Sequence, residues 1–274
     1  MLRHARKLGF LLTGLGLVTL LGATACDKGG EEAAAKDGDA KASAEAGSGG
    51  APTTTAEAKT FLKDQSKKGC EMLPPALVAK TFEVPEAELQ QMKIAGCIYS
   101  YDSGDGSQTV EASINTIFVR DDPAKARQHF DNATKNMTAE EIKAQMGMVM
   151  GKAKESEAID TAAKDKGVDQ VGGMMAAMVP DGGYQYEDVP GVGDAARVLT
   201  HDGKLTVLVG NMVFTVGAYK GPAAPAPDLT GVSMQDMDAV MAAAKKADAE
   251  WMAKTRDVRR EQAATLAKAI VAGL

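Results

Sequence analysis

Residues 27–60 contain no Val, Ile, Leu, Met, Phe, Trp or Tyr, and they divide the chain into a short first segment and a long second one. Such a stretch cannot bury enough apolar surface to offset the entropy that is lost on ordering. We therefore predict a flexible linker over residues 26–60, with a root-mean-square span of about 30 Å. Any compact fold is confined to residues 61–274, which are enough for one domain with its own core.

The first segment begins with the basic residues Arg3, Arg6 and Lys7, followed by an apolar run over residues 8–21. Small residues then lead to Cys26 in the sequence Leu-Gly-Ala-Thr-Ala-Cys. One interpretation is a retained membrane helix, because spanning needs about 20 apolar residues. The favoured interpretation is an export signal, since a basic start, an apolar centre and small residues before a cleavage point are typical of one.

The residues around Cys26 resemble the signal of bacterial lipoproteins. This resemblance implies that residues 1–25 are a signal peptide, that the chain is cut before Cys26, and that Cys26 then carries acyl chains. It also implies a location in the bacterial cell envelope, with the domain held at a membrane by lipid and facing the periplasm or the cell surface. The membrane is therefore one expected partner.

The net charge limits which other kinds of partner are expected. The first 25 residues contain three Lys and Arg side chains and no acidic one, so their removal lowers the net charge from −6 to −9. An acidic domain is a poor candidate for binding nucleic acid or anionic lipid head groups. The predicted partners are another envelope protein or an apolar ligand.

Once Cys26 is assigned to lipid, Cys70 and Cys97 are the remaining cysteines, and an exported protein meets an oxidising compartment. A single structural disulfide between them is the prediction. A redox or metal role would require a C-x-x-C spacing or nearby histidines, and neither is present.

Turn, capping and periodicity signals outline the elements of the folded part. Asp105-Gly106 predicts a hairpin, with a bulge or a break near Asn115, and the turns after residue 183 predict an antiparallel meander. The predicted strands cover residues 94–101, 109–119, 184–189, 195–200, 205–209 and 212–216. The predicted helices cover residues 76–82 and 86–92, begin at Asp122-Pro123, Thr138 and Ser233, and end with a last helix over 263–274. The fold class is therefore α+β, with helices covering an antiparallel sheet.

Apolar stripes indicate which helix faces are buried. The helix at Pro123 carries Ala126, Phe130 and Ala133, the helix after Ser233 carries Met234, Met237 and Met241, and the last carries Ala263, Leu266, Ala267, Ile270 and Leu274. We expect the last two helices to cover the sheet.

Cys70-x-x-Leu-Pro-Pro, Cys97-x-Tyr, the turn at residues 190–196 and the Ala-rich last helix resemble small cell-envelope lipoproteins of unknown function. The resemblance implies no catalytic residue and no cofactor. A lipid-anchored domain without a chemical signature favours a non-catalytic role, in which the domain binds another envelope protein or presents a ligand.

Methionine supports an alternative function. Thioethers bind Cu(I), and two pairs at helical spacing, Met146 with Met150 and Met174 with Met178, could each share a face. A metal or apolar-ligand carrier is therefore the second hypothesis, against the simpler interpretation that these side chains fill a core. An envelope hydrolase is the third hypothesis, and it would need a nucleophile beside His129 or His201.

Overall fold

A computed structural model describes residues 59–93, 96–155, 179–180 and 182–274. Contacts along the chain separate residues 1–57 from a compact unit, Ala58–Leu274. The predicted signal peptide, Cys26 and nearly all of the linker lie outside the described residues, as do Met174 and Met178.

Seven strands form one antiparallel sheet, which confirms the predicted α+β class. The strands are β1 (Gln90–Met92), β2 (Gly96–Asp102), β3 (Thr109–Val119), β4 (Tyr186–Asp188), β5 (Ala195–Leu199), β6 (Leu205–Val209) and β7 (Met212–Gly221). Their order across the sheet is β1-β2-β3-β7-β6-β5-β4. The predicted hairpin and meander are thus joined, because the second strand of the hairpin, β3, pairs with the last strand of the meander, β7.

The bulge predicted near Asn115 is confirmed. The β3–β7 register shifts between Asn115 and Phe118, and Thr116 adopts a positive φ of 53°. The extra residue interrupts the alternation of side chains between the two faces of β3. This explains why the apolar pattern of the strand is only partly regular in sequence.

Strands β4 and β7 differ most from the prediction. Tyr184 pairs with Met137 in an isolated bridge, so β4 begins only at Tyr186. Strand β7 continues past residue 216 to Gly221 because β3 offers partners as far as Thr109.

The helix predicted over residues 86–92 is wrong. Residues Glu86–Glu88 form a short 3-10 helix, and Gln90–Met92 then pair with β2 as an edge strand. The Gln91 side chain donates a hydrogen bond to the Tyr99 hydroxyl at 2.6 Å. Pairing with β2 therefore outweighs the helix start that Pro85 suggests.

The described helices lie on both faces of the sheet. They are α1 (Gly69–Met72), α2 (Pro75–Phe82), α3 (Pro123–Ala133), α4 (Ala139–Glu155) and α5 (Met237–Gly273), with a further 3-10 helix at Lys63–Lys67. The main core joins α1, α2 and the end of α5 to one sheet face, with Leu266 and Ile270 fully buried there. On the other face, Phe130 of α3 packs against Leu208 and Val213.

The predicted starts of α3 and α4 are confirmed. Asp122 accepts a hydrogen bond from the backbone N–H of Lys125 at 2.8 Å. Thr138 and Glu141 form a capping box, in which each side chain accepts a bond from the other residue's backbone. The predicted face of α3 needs one correction: Ala133 is exposed and Thr134 is buried in its place, since steps of four residues follow the face from Ala126 through Phe130.

The predicted disulfide is confirmed. Cys70 of α1 is bonded to Cys97 of β2, with their Cα atoms 5.0 Å apart. Cys97 is fully buried in the main core, so the bond ties the first helical layer to the sheet.

The prediction of two separate terminal helices is wrong. A single helix, α5, runs over 37 residues from Met237 to Gly273. Residues 237–272 contain no Gly or Pro, so nothing in this sequence interrupts the backbone hydrogen bonds.

The first residues that the structure describes lie beside the β6–β7 turn, where Asn211 is almost completely buried. Its amide oxygen accepts from the N–H of Phe61 at 2.7 Å, and its amide nitrogen donates to the carbonyls of Phe61 and Arg120. One side chain therefore fastens the start of the domain to the ends of β3 and β6.

Candidate functional site

The first 22 residues of α5, numbers 237–258, form a segment that we call the arm. Among its side chains that the structure describes, none is buried. At 1.5 Å per residue the arm is about 33 Å long. By contrast, Ala263, Leu266, Ala267 and Ile270 of the same helix are buried against the sheet. The prediction that both terminal segments cover the sheet is therefore wrong for most of the arm, whose Trp251 contacts the sheet at Tyr219.

The arm leaves the sheet beside the start of β6, where Leu205 pairs with Val216. Strand β6 pairs with residues 212–216 of β7, and β7 then continues alone on that side. The Gln262 side chain accepts from the N–H of Lys220 at 2.6 Å and donates to the carbonyl of Lys220 at 3.1 Å. The Gln262 amide thus makes the hydrogen bonds to β7 that a neighbouring strand would make. Helix α5 passes the sheet at this edge of β7.

Arg259, the residue directly after the arm, holds the arm to the face of β7 that lies away from the main core. Its guanidinium carbon lies 4.4 Å from the ring centroid of Tyr219 and 4.4 Å from that of Trp251. The two rings meet edge to face at 5.1 Å. Two aromatic rings around one cation provide attraction that does not depend on hydrogen bonds.

The remaining contacts of Arg259 are few. Its Nε donates to the Thr255 hydroxyl at 3.2 Å, and its Nη1 lies 3.7 Å from the carboxylate of Glu111. Its Nη2 is buried without a hydrogen-bond partner among the residues that the structure describes. Burial lowers the pKa of this guanidinium, whereas the charge of Glu111 opposes the shift.

Three methionines are exposed here, Met237 and Met241 at the start of the arm and Met234 in the turn before it. The exposed fractions are 69% for Met234, 62% for Met237 and 55% for Met241. The sequence placed all three on a helix that starts after Ser233 and assigned them to a buried face, whereas α5 begins at Met237 and Met234 lies in the turn before it. A signal was available, since the arm continues this stripe with Ala244 and Ala247, whereas the buried half carries Leu and Ile.

The methionines proposed from sequence are placed only in part. Met146 and Met150 are half-buried on α4, whereas Met148 between them is 63% exposed. Met174 and Met178 lie outside the described residues, so the second pair stays a prediction. No group of three His, Cys, Asp or Glu side chains in the described ranges could hold a metal ion.

The structure keeps the two candidate histidines apart. On α3, His129 Nδ1 accepts a hydrogen bond from Arg120 Nη2 at 2.7 Å, and the ring contacts Phe118 edge to face. Burial, together with the charge of Arg120, lowers the pKa of His129 to about 4. The ring is therefore neutral near pH 7, and Nδ1 accepts the bond from Arg120.

His201 lies in the β5–β6 turn, at the other end of β6, and stacks on Tyr184 with 5.8 Å between ring centroids. Burial lowers its pKa as well, against the opposing charge of Asp202. Within the described ranges, neither histidine has a hydrogen bond to a Ser hydroxyl or a thiol. The hydrolase hypothesis gains no catalytic geometry from these residues.

Two concavities are the best formed in the described part of the chain. A polar one of about 130 Å³ lies between the base of the arm and β5, beside Arg256 and Arg260. The second is a more apolar groove of about 330 Å³ between the first helices and the end of α5, walled by Met72, Leu77, Ile270 and Leu274. Gln65, Lys68 and Glu71 also line this groove.

Comparisons with protein-family models, curated proteins and solved structures find no match for this chain. None of the helices in the described ranges is both long and apolar enough to cross a bilayer. The described residues form a disulfide-braced α+β domain with one long helix that extends past its sheet.

Proposed function

We propose that this protein is a lipid-anchored lipoprotein of the bacterial cell envelope, without catalytic activity, that binds another envelope protein through the arm. The single observation that carries the binding role is the arm itself. Over residues 237–258, apolar side chains recur on one helix face, yet no described side chain of this segment is buried.

The composition of the arm explains how it stays helical with little packing beyond the ring of Trp251. Seven of its residues are Ala, the residue with the highest helix propensity, and its C-terminal end continues into the packed half of α5. An exposed helix of this kind needs no further ordering before a partner binds. Small residues also allow a second protein to approach its backbone closely, as in recognition of a helix by a groove.

The anchor is supported by the sequence alone. The basic start, the apolar run and the small residues before Cys26 resemble a lipoprotein signal, and residues 27–60 have the composition of a flexible linker. A linker of that span lets a membrane-held domain reach a partner about 30 Å away.

Mass spectrometry of the native protein tests the anchor. We expect a mature chain that begins at Cys26 and carries fatty acyl groups, and a Cys26→Ala variant without them. An intact N-terminus at Met1 together with an unmodified Cys26 would contradict the lipoprotein assignment.

Photo-crosslinking in intact cells tests the arm. A crosslinking residue at position 244 or 247 should give one discrete protein adduct, and the same residue at the exposed position 268, in the packed half of α5, should not. Ala247→Arg should abolish the adduct from position 244 while the thermal unfolding midpoint stays the same. Equal adducts from positions 244 and 268, or none from the arm, would refute the binding role.

A further inference from the structure

Two methionines at the start of the arm lie on one face of the helix. Met237 is the first residue of α5, and the Asp236 side chain caps the helix by accepting a hydrogen bond from the N–H of Ala239 at 3.0 Å. Met241 follows one turn later inside the regular helix, where residues four apart are neighbours on the surface. Ala244 continues the same face three residues further on. The two thioethers are therefore part of the apolar face through which the arm is proposed to bind.

Both thioethers are open to solvent. The exposed fraction is 62% for Met237 and 55% for Met241, whereas Met212 on β7 is fully buried in the main core. An oxidant in solution has to reach a sulfur atom before it can react with it. We therefore expect the two methionines of the arm to be oxidised well before Met212.

Oxidation changes a thioether in a way that an apolar binding face does not tolerate. Hydrogen peroxide transfers one oxygen atom to the sulfur: an S–O bond forms, the O–O bond breaks, and water leaves. The sulfur loses two electrons and the peroxide gains them. The product, methionine sulfoxide, is polar, and burying its oxygen in an apolar interface without a hydrogen-bond donor is unfavourable.

The change is also reversible. Methionine sulfoxide reductases remove the oxygen as water and restore the thioether, with two electrons taken from a dithiol that becomes a disulfide. An oxidised arm therefore does not have to be replaced by a newly synthesised protein.

We propose that Met237 and Met241 are sites of reversible oxidation by peroxides, and that their sulfoxides release the arm from its protein partner. This inference rests on the proposed function, because it concerns the regulation of the same binding face. Each residue acts by itself, since each sulfoxide adds a polar oxygen to that face.

The position of the two residues keeps the effect local. Trp251, which contacts Tyr219 of the sheet, lies ten residues after Met241, or about 15 Å along the helix. Neither Met237 nor Met241 is buried in the core. Oxidation of the arm should therefore leave the thermal unfolding midpoint unchanged, which distinguishes regulation of binding from oxidative damage to the fold.

Peptide mass spectrometry of the purified full-length protein after graded treatment with hydrogen peroxide tests the chemistry. Sulfoxide should form at Met237 and Met241 at least about tenfold faster than at Met212. Equal rates at the three residues would overturn the assignment of the arm methionines as the reactive sites.

Photo-crosslinking from position 244 in cells treated with hydrogen peroxide tests the consequence. The adduct of the native arm should fall about tenfold or more. Met237→Leu/Met241→Leu should keep its adduct under the same treatment, since leucine has a similar volume and no sulfur. Met237→Gln/Met241→Gln should lose the adduct without peroxide, because the glutamine amide is polar and glutamine has a helix propensity similar to that of methionine.

Met148 on α4 provides the matched control, because it is 63% exposed but lies outside the arm. Met148→Leu should lose its adduct on oxidation as the native protein does. The regulation is disproved if sulfoxides at Met237 and Met241 leave the adduct unchanged, or if Met237→Leu/Met241→Leu loses it to the same extent as the native protein. In either case the adduct from untreated cells still supports the binding role, whereas absence of an adduct before treatment removes the binding role and this inference together.

Discussion

Individual polar side chains hold the ends of the elements together in this fold. His129 is one of them, because its ring joins α3 to Arg120 at the end of β3 and rests against Phe118. Protonation of the ring would replace the acceptor Nδ1 by a donor facing a guanidinium. The folded state therefore opposes protonation, which is the physical reason why the pKa of His129 falls to about 4.

This shift predicts a loss of stability in mild acid. The unfolded chain takes up the proton at a pKa of about 6.5 and the folded chain only at about 4, so the free energy of unfolding falls as the pH drops through this window. Because the ring is half-exposed, solvent screens the effect, and we expect a contribution of about 1 kcal/mol. Urea unfolding at about pH 7.5 and about pH 5 measures it.

His129→Gln is the control for this prediction, since its amide oxygen can still accept from Arg120 but does not titrate. The variant should lose about 1 kcal/mol less than the native protein between the two pH values. Identical losses in both proteins would show that His129 is not a source of the pH dependence.

At the scale of elements, α5 has two halves with different energetic roles. Residues 263–272 bury apolar side chains against the sheet, whereas residues 237–258 bury none that the structure describes. The aromatic pair around Arg259 and the amide of Gln262 lie at the junction of the two halves. The arm should therefore be helical and yet contribute little to global stability.

Two substitutions in the one helix test this division. Leu266→Ala removes a fully buried side chain and should reduce the free energy of unfolding by about 2–5 kcal/mol. Met241→Ala removes a side chain that is 55% exposed, and its effect should stay within about 0.5 kcal/mol. Chemical denaturation measures both, and similar losses for the two variants would show that the arm is part of the core.

At the scale of the whole molecule, one sheet and one disulfide integrate segments that are far apart in sequence. Strand β7 lies at the centre of the order β1-β2-β3-β7-β6-β5-β4, so the last strand of the chain joins both parts of the sheet. The Cys70–Cys97 bond fixes α1 to the β2 side. It closes a loop with a sequence separation of 27 residues.

Loss of the disulfide should destabilise the domain strongly. For a loop of this length the chain-entropy model gives about 3.5 kcal/mol, out of a typical total of about 5–15 kcal/mol. We expect Cys70→Ala/Cys97→Ala to lower the free energy of urea unfolding by this amount. Cys26→Ala, outside the loop, should leave it unchanged, and a loss below about 1 kcal/mol in the double variant would contradict the structural role.

The sequence by itself determined the features that depend on neighbouring residues. The caps of α3 and α4, the bulge near Asn115, the hairpin and the meander follow from local backbone preferences, which act over a few residues. The disulfide was also predictable, because once Cys26 is set aside two cysteines remain to pair. Signals of this kind are readable without knowing what the segment packs against.

Only the tertiary structure decided which surfaces are buried and which strands meet. Residues 90–92 form a strand because they can pair with β2. Strand β3 pairs with β7, which is about a hundred residues away in the sequence. Met234, Met237 and Met241 have the periodicity of a core helix but are exposed, because the sheet ends at the edge where Gln262 bonds to Lys220. Periodicity shows that a helix has an apolar face, whereas burial depends on whether another element lies opposite that face.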